Sequence, residues 1–138
     1  NPIDINPGAD DEAHLQCTAA FAEDPEVDAV IVGLDPLSPA VRALAQSNRP
    51  NFDIHNENSI VQLLPQLVAA QDTPIIGVVD GGSLYDPMCE QLMDNGVCIF
   101  RSCERAVTAL GRYVSARLNA DKIKLAEATT VFTGHHSL

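Results

Sequence analysis

The turn Asp80-Gly81-Gly82-Ser83 is the first place in this chain where residue type and spacing could do chemistry. It follows an apolar run and precedes a helical pattern. Glycines let backbone N–H groups approach an anion, and a following helix N-terminus favours negative charge. Gly81, Gly82 and Ser83 are therefore the anion-binding candidates. The competing reading is a purely structural turn: there is no G-x-G-x-x-G and no phosphate-loop lysine, and Asp80 and Asp86 would repel a phosphate. Asp4, Asp35 and Asp80 could meet at one sheet edge, as carboxylates do around a metal or a phosphoacceptor. A receiver-type site, however, would want a lysine where Arg101 stands.

His14 falls on a helical segment and His55 in a polar stretch, and both are expected to be solvated. Gly134-His135-His136-Ser137 faintly resembles a phosphohistidine loop, yet no strand precedes it, so a linker is the simpler expectation. Ser83 and Cys89 have no histidine at a defensible spacing, so nucleophilic catalysis has no support. Cys17, Cys89, Cys98 and Cys103 include no C-x-x-C pair and no zinc spacing. They are expected to be reduced, packed thiols of a cytoplasmic protein. No catalytic residue and no metal ligand is assigned from the sequence.

Elements of regular period must position these groups. Three apolar runs read as strands, at residues 28–34 (DAVIVGL), 74–79 (PIIGVV) and 97–100 (VCIF). Helical patterns are expected over 10–22, over 38–46, over 59–70 with Pro65 as a kink, and from Asp86 to Asn95-Gly96. In the last of these Asp86 serves as N-cap, Pro87 as first helical residue and Gly96 as stop. Leu84, Met88 and Leu92 are expected one helical turn apart, on one face. A long helix follows Ser102, with Val107, Leu110 and Val114 as its buried stripe. Residues 1–6 (NPIDIN) read as an edge strand and residues 47–58 as an exposed loop. Strands apolar on both faces, separated by helices, imply a doubly wound parallel sheet in a three-layer α/β/α sandwich. Ligands in such folds sit beyond the carboxyl ends of the strands.

Charge narrows the partners. The 138 residues carry a formal charge of -11, which argues against nucleic acid and against an acidic membrane surface. The imbalance is uneven. Residues 1–100 hold two bases, Arg42 and Arg49, against sixteen acids, whereas residues 101–138 hold six bases against three acids. That basic end either docks an acidic partner or is a solvated helix face. No apolar run reaches membrane-spanning length. The chain starts at Asn1 rather than Met, so it is expected to be part of a longer product.

Four segments together carry a family resemblance. Asn1-Pro2-Ile3-Asp4-Ile5 resembles the N-P-[VI]-D-[LI] motif of the NDP-forming acyl-CoA synthetases. Residues 24–32 (DPEVDAVIV) look like that family's next strand and its lead-in, and residues 73–82 like its following strand and glycine turn. Residues 96–101 (GVCIFR) with 104–110 (ERAVTAL) look like its G-[IV]-P-V-[FY] strand and E-x-A-V-x-A-L helix. The resemblance spans roughly residues 1–117. It implies a flavodoxin-like domain, residues 1–118, lacking its first βα unit, followed by a tail or linker over 119–138. It also implies a role beside a phosphohistidine carried by another domain, during exchange of phosphate between acyl-CoA and nucleoside diphosphate. CoA, ATP or ADP, and Mg would be held by the parent's CoA-binding and ATP-grasp domains, the expected partners, and none by this piece. The loop over 48–58 departs from the family pattern, as does the missing first unit. The alternative is a stand-alone module binding a small nucleotide or acyl ligand. If residues 1–6 form an edge strand whose neighbour is missing, a homodimer or marginal stability is expected.

Overall fold

The computed structural model describes residues 2–133, with side chains described through Glu127. Its helices are α1 (Asp11–Ala22), α2 (Ile60–Ala70), α3 (Asp86–Asp94) and α4 (Cys103–Thr133), and its strands β1 (Val30–Gly33), β2 (Ile75–Val78) and β3 (Cys98–Phe100). A single 3-10 turn, Ser83–Tyr85, leads into α3. The strands form one parallel sheet in the order β1-β2-β3, with Val32 opposite Gly77 and Gly77 opposite Ile99. The described chain divides into two compact units, one ending at Ala106 and the other starting at Val107.

Within the first unit α1 packs on β1, α3 packs on β3, and α2 touches both helices. The three helices thus form one row. Two successive crossovers of the same hand, each stepping to the next strand on the same side, must leave their helices on the same face. The core beneath that row includes Val30, Val32, Leu34, Ile60, Leu64, Ile75, Val79, Met88 and Leu92. Ile76 and Val78 alternate to the opposite face and are also buried. Central β2 is thereby buried on both sides, as its uninterrupted apolar run requires. A Cβ at Gly77 would press on the Cδ1 end of Ile99, its register partner, which would have to shift to make room.

Helix ends follow their local signals. The Asp10 side chain accepts from the Ala13 N–H and Ser59 from the Val61 N–H. Ser102 Oγ accepts from the Arg105 N–H at 3.3 Å, capping α4. Pro65 lies inside α2, which continues through it to Ala70. At the end of α3, the Gly96 N–H donates to the Met93 carbonyl and the Val97 N–H to the Leu92 carbonyl, each at 3.0 Å. This paired closure requires a left-handed residue at Gly96, whose φ is +88°. Gly96→Ala is expected to cost about 1 kcal/mol, because Cβ penalises that conformation. Urea unfolding checks it; an unchanged midpoint would show that the turn can re-form with negative φ.

Several expectations are corrected. Residues 2–6 are not a strand: Asp4 Oδ1 takes the Asn6 N–H at 2.8 Å, and Asn6 itself turns left-handed at φ 69°. Residues 38–46 are turns rather than a helix. Asp35 and Ser38 side chains capture the Leu37 and Ala40 N–H groups, and the Arg42 N–H points to Asp11. These bonds compete with a helical ladder. The loop over 47–58 is anchored by a buried Ile54, whose N–H reaches the Leu44 carbonyl at 3.0 Å. Asp86 is the first residue of α3, not its cap, and Pro87 comes second. Met88 and Leu92 are buried but Leu84, in the 3-10 turn, is exposed. On α4, Val107 and Val114 are exposed, and Ala106 instead is fully buried. That helix runs on past Asn119 to Thr133.

Candidate functional site

Each βα step brings a helix start to the carboxyl edge of the sheet, so the Asp80–Ser83 turn, the start of α3 and Arg101 gather there. Arg101 follows β3 directly. Its guanidinium donates through Nη2 to the carbonyl oxygens of Gly81 and Gly82, at 2.5 and 3.0 Å, and through Nη1 to Asp86 Oδ1. That charge-assisted bond to Asp86 raises the Arg101 pKa further above its ordinary value. The glycine turn therefore offers carbonyl oxygens to a cation supplied by the chain itself. Gly81 is tightly enclosed, since a Cβ would lie 2.8 Å from the Tyr85 ring and 3.0 Å from Pro36. Gly82 and Ser83 are exposed. Sequence reasoning noted Arg101 only as a replacement for a lysine; its sequence neighbours carry no hint that it reaches back twenty residues.

Beside Arg101 lies a shallow cleft of about 170 Å³, lined by Asp86, Cys89, Glu90, Met93, Ile99 and Arg101. It is smaller than the roughly 300 Å³ at which small-molecule pockets begin. Burial pushes the Cys89 thiol above its ordinary pKa, against the opposing pull of Arg101. The thiolate is the reactive form, so Cys89 is expected to resist iodoacetamide at neutral pH while the exposed Cys98 and Cys103 react. Mass spectrometry of the native protein checks this, and rapid Cys89 modification would show that α3 opens. The raised pKa favours the folded state below the ordinary thiol range. That contribution is lost as pH climbs through the folded value.

The remaining candidates do not converge. Asp4, Asp35 and Asp80 are all exposed, and no group of three His, Cys, Asp or Glu among the described residues could hold a metal ion. His55 is exposed as expected, but His14 is buried, its Nδ1 2.8 Å from the Asp10 carbonyl oxygen. Cys98 and Cys103 are exposed rather than packed. His135 and His136 lie outside the described residues.

A second polar cluster escaped sequence reasoning. Asp11 is buried in the first turn of α1 and accepts from Arg42 Nη1 and from the Ile60 N–H, both at 2.8 Å. Ser59 Oγ donates to the Arg42 carbonyl at 3.2 Å. Arg42 and Arg49, the only two bases in residues 1–100, both lie over the Phe52 ring, 5.0 and 3.4 Å from its centroid. This cluster joins the starts of α1 and α2 and pins the loop between β1 and α2. The signal available beforehand was the scarcity of bases in an acidic segment: an isolated arginine there has many carboxylates to choose from.

No helix among the described residues is long and apolar enough to cross a membrane. Compared with protein-family models, with curated proteins and with solved structures, the chain shows no match.

Proposed function

We propose that this chain is a non-catalytic, flavodoxin-like domain of an NDP-forming acyl-CoA synthetase. It helps to complete the site around a phosphohistidine carried by another domain. The reading is carried by one observation: the motif segments occur in family order, and three of them coincide with β1, β2 with its glycine turn, and β3 leading into α4. CoA, ATP or ADP, and Mg then belong to the CoA-binding and ATP-grasp domains, which are its partners in a cytoplasmic ligase.

The test is complementation. A ligase of this family lacking its own flavodoxin-like domain would be mixed with this chain, and phosphohistidine formation from ATP or acyl-CoA and phosphate would be followed. Restored phosphorylation supports the reading, and none at saturating chain counts against it. The alternative, a stand-alone ligand-binding module, is separated by thermal shift with CoA, ATP, ADP, phosphate and acyl-CoA in turn. A ligand at about 100 times its Kd stabilises by roughly 2.7 kcal/mol. The ligase-domain reading expects no such shift.

A further inference from the structure

We infer that Asn95 is a latent deamidation site, kept silent by the closure at the end of α3 and released only when that closure opens. Asparagine is a thermolabile residue. It is most labile before glycine, which has no side chain to hinder its nitrogen. Asn95-Gly96 is the only such pair in the sequence. In the reaction the Gly96 nitrogen attacks Asn95 Cγ and gives up its proton. A C–N bond forms and closes a succinimide ring, the Cγ–Nδ2 bond breaks, and the amide group leaves with that proton as ammonia. Water then opens the ring at either carbonyl. One route leaves aspartate, and the other leaves isoaspartate, with an extra methylene in the main chain.

Burial does not protect this pair. Both residues are exposed, and a Cβ at Gly96 would meet nothing within 4 Å. Geometry protects it. At Asn95 ψ is 17°, which turns the Gly96 nitrogen toward the Asn95 backbone nitrogen and away from the side chain. The attacking and departing groups are also both held. The Gly96 N–H donates to the Met93 carbonyl at 3.0 Å, and Asn95 Nδ2 donates to the Gln91 carbonyl at 2.7 Å. Attack therefore needs the closure to open, and native proteins open locally in this way. The isoaspartyl product cannot close again as before. It has lost the Nδ2 donor and carries a negative charge at a helix C-terminus, where the dipole disfavours one. Its longer main chain also breaks the spacing that the paired bonds to Leu92 and Met93 require. The step is one-way.

The full chain, incubated at mildly alkaline pH either native or in urea, provides the test. Peptide mapping by mass spectrometry follows the amide-to-acid conversion at Asn95. The native rate is expected to lie at least about tenfold below the unfolded rate. Leu92→Ala, which weakens the packing beneath the closure, should raise the native rate, and Met93→Ala should leave it unchanged. The isoaspartyl product, separated by chromatography, should exchange its Gly96 and Val97 amide hydrogens faster than Asn95→Asp, which has the charge without the methylene. Equal native and unfolded rates, a Leu92→Ala rate no higher than that of the parent chain, or an isoaspartyl product with unchanged exchange would each overturn the proposal.

Discussion

Asp11→Ala is expected to remove about 3–5 kcal/mol of folding stability, the usual cost of stripping one partner from a buried ion pair. The Asp11 side chain is only 1% exposed and answers three donors: the Arg42 guanidinium, the Arg42 N–H and the Ile60 N–H. Alanine would leave the Ile60 N–H without its acceptor at the start of α2 and a half-buried guanidinium without its counter-charge. Asp11→Asn keeps an acceptor for the Ile60 N–H while removing the charge, so its loss should be smaller. A domain of this size has a total stability of only about 5–15 kcal/mol, so Asp11→Ala should shift the urea midpoint far, or leave a fraction unfolded in water. A loss below about 1 kcal/mol would mean that water replaces the carboxylate and that the cluster does not organise the loop.

The second large effect is expected at Leu92. This side chain is fully buried in the core under α3, and its backbone carbonyl closes the helix end by accepting from the Val97 N–H. Leu92→Ala is expected to cost about 2–5 kcal/mol, the lost transfer free energy plus the cavity left behind. The helix closure uses backbone atoms and should survive, so the mutant should keep its helical circular dichroism while losing stability. Met93→Ala, one position away and 49% exposed, is the control, with a change within about 0.5 kcal/mol. Equal losses at both positions would mean that α3 is rotated relative to the sheet.

Both effects sit where a single carboxylate or side chain serves several elements. The Asp11 cluster fixes where α1 and α2 begin, and the α3 closure sets where β3 starts. Between them they position the carboxyl edge on which Arg101 grips the glycine turn.

The sequence by itself determined the elements whose causes are local. Asp10, Ser59 and Ser102 cap helices through N–H groups two or three residues away, and Gly96 ends α3 through bonds reaching back at most five residues. The three apolar runs read as strands, their alternation with helices required a parallel sheet, and β2, the most uniformly apolar, is buried along its whole length. Tertiary structure decided everything that depends on a distant partner. Residues 38–46 have helical composition, but Asp11, thirty-one positions before Arg42, takes the N–H that a helix would use. The Asp80–Ser83 turn has the composition of an anion loop, but Arg101, some twenty positions later, takes its carbonyl oxygens. Val107 and Val114 have the spacing of a core stripe, yet both are exposed while Ala106 is buried, because burial depends on which neighbour stands opposite. Caps and periodicity are written within a few residues of where they act. Polar partners separated by twenty or thirty residues are chosen by the packed fold, where an unpaired buried donor costs more than any local preference returns.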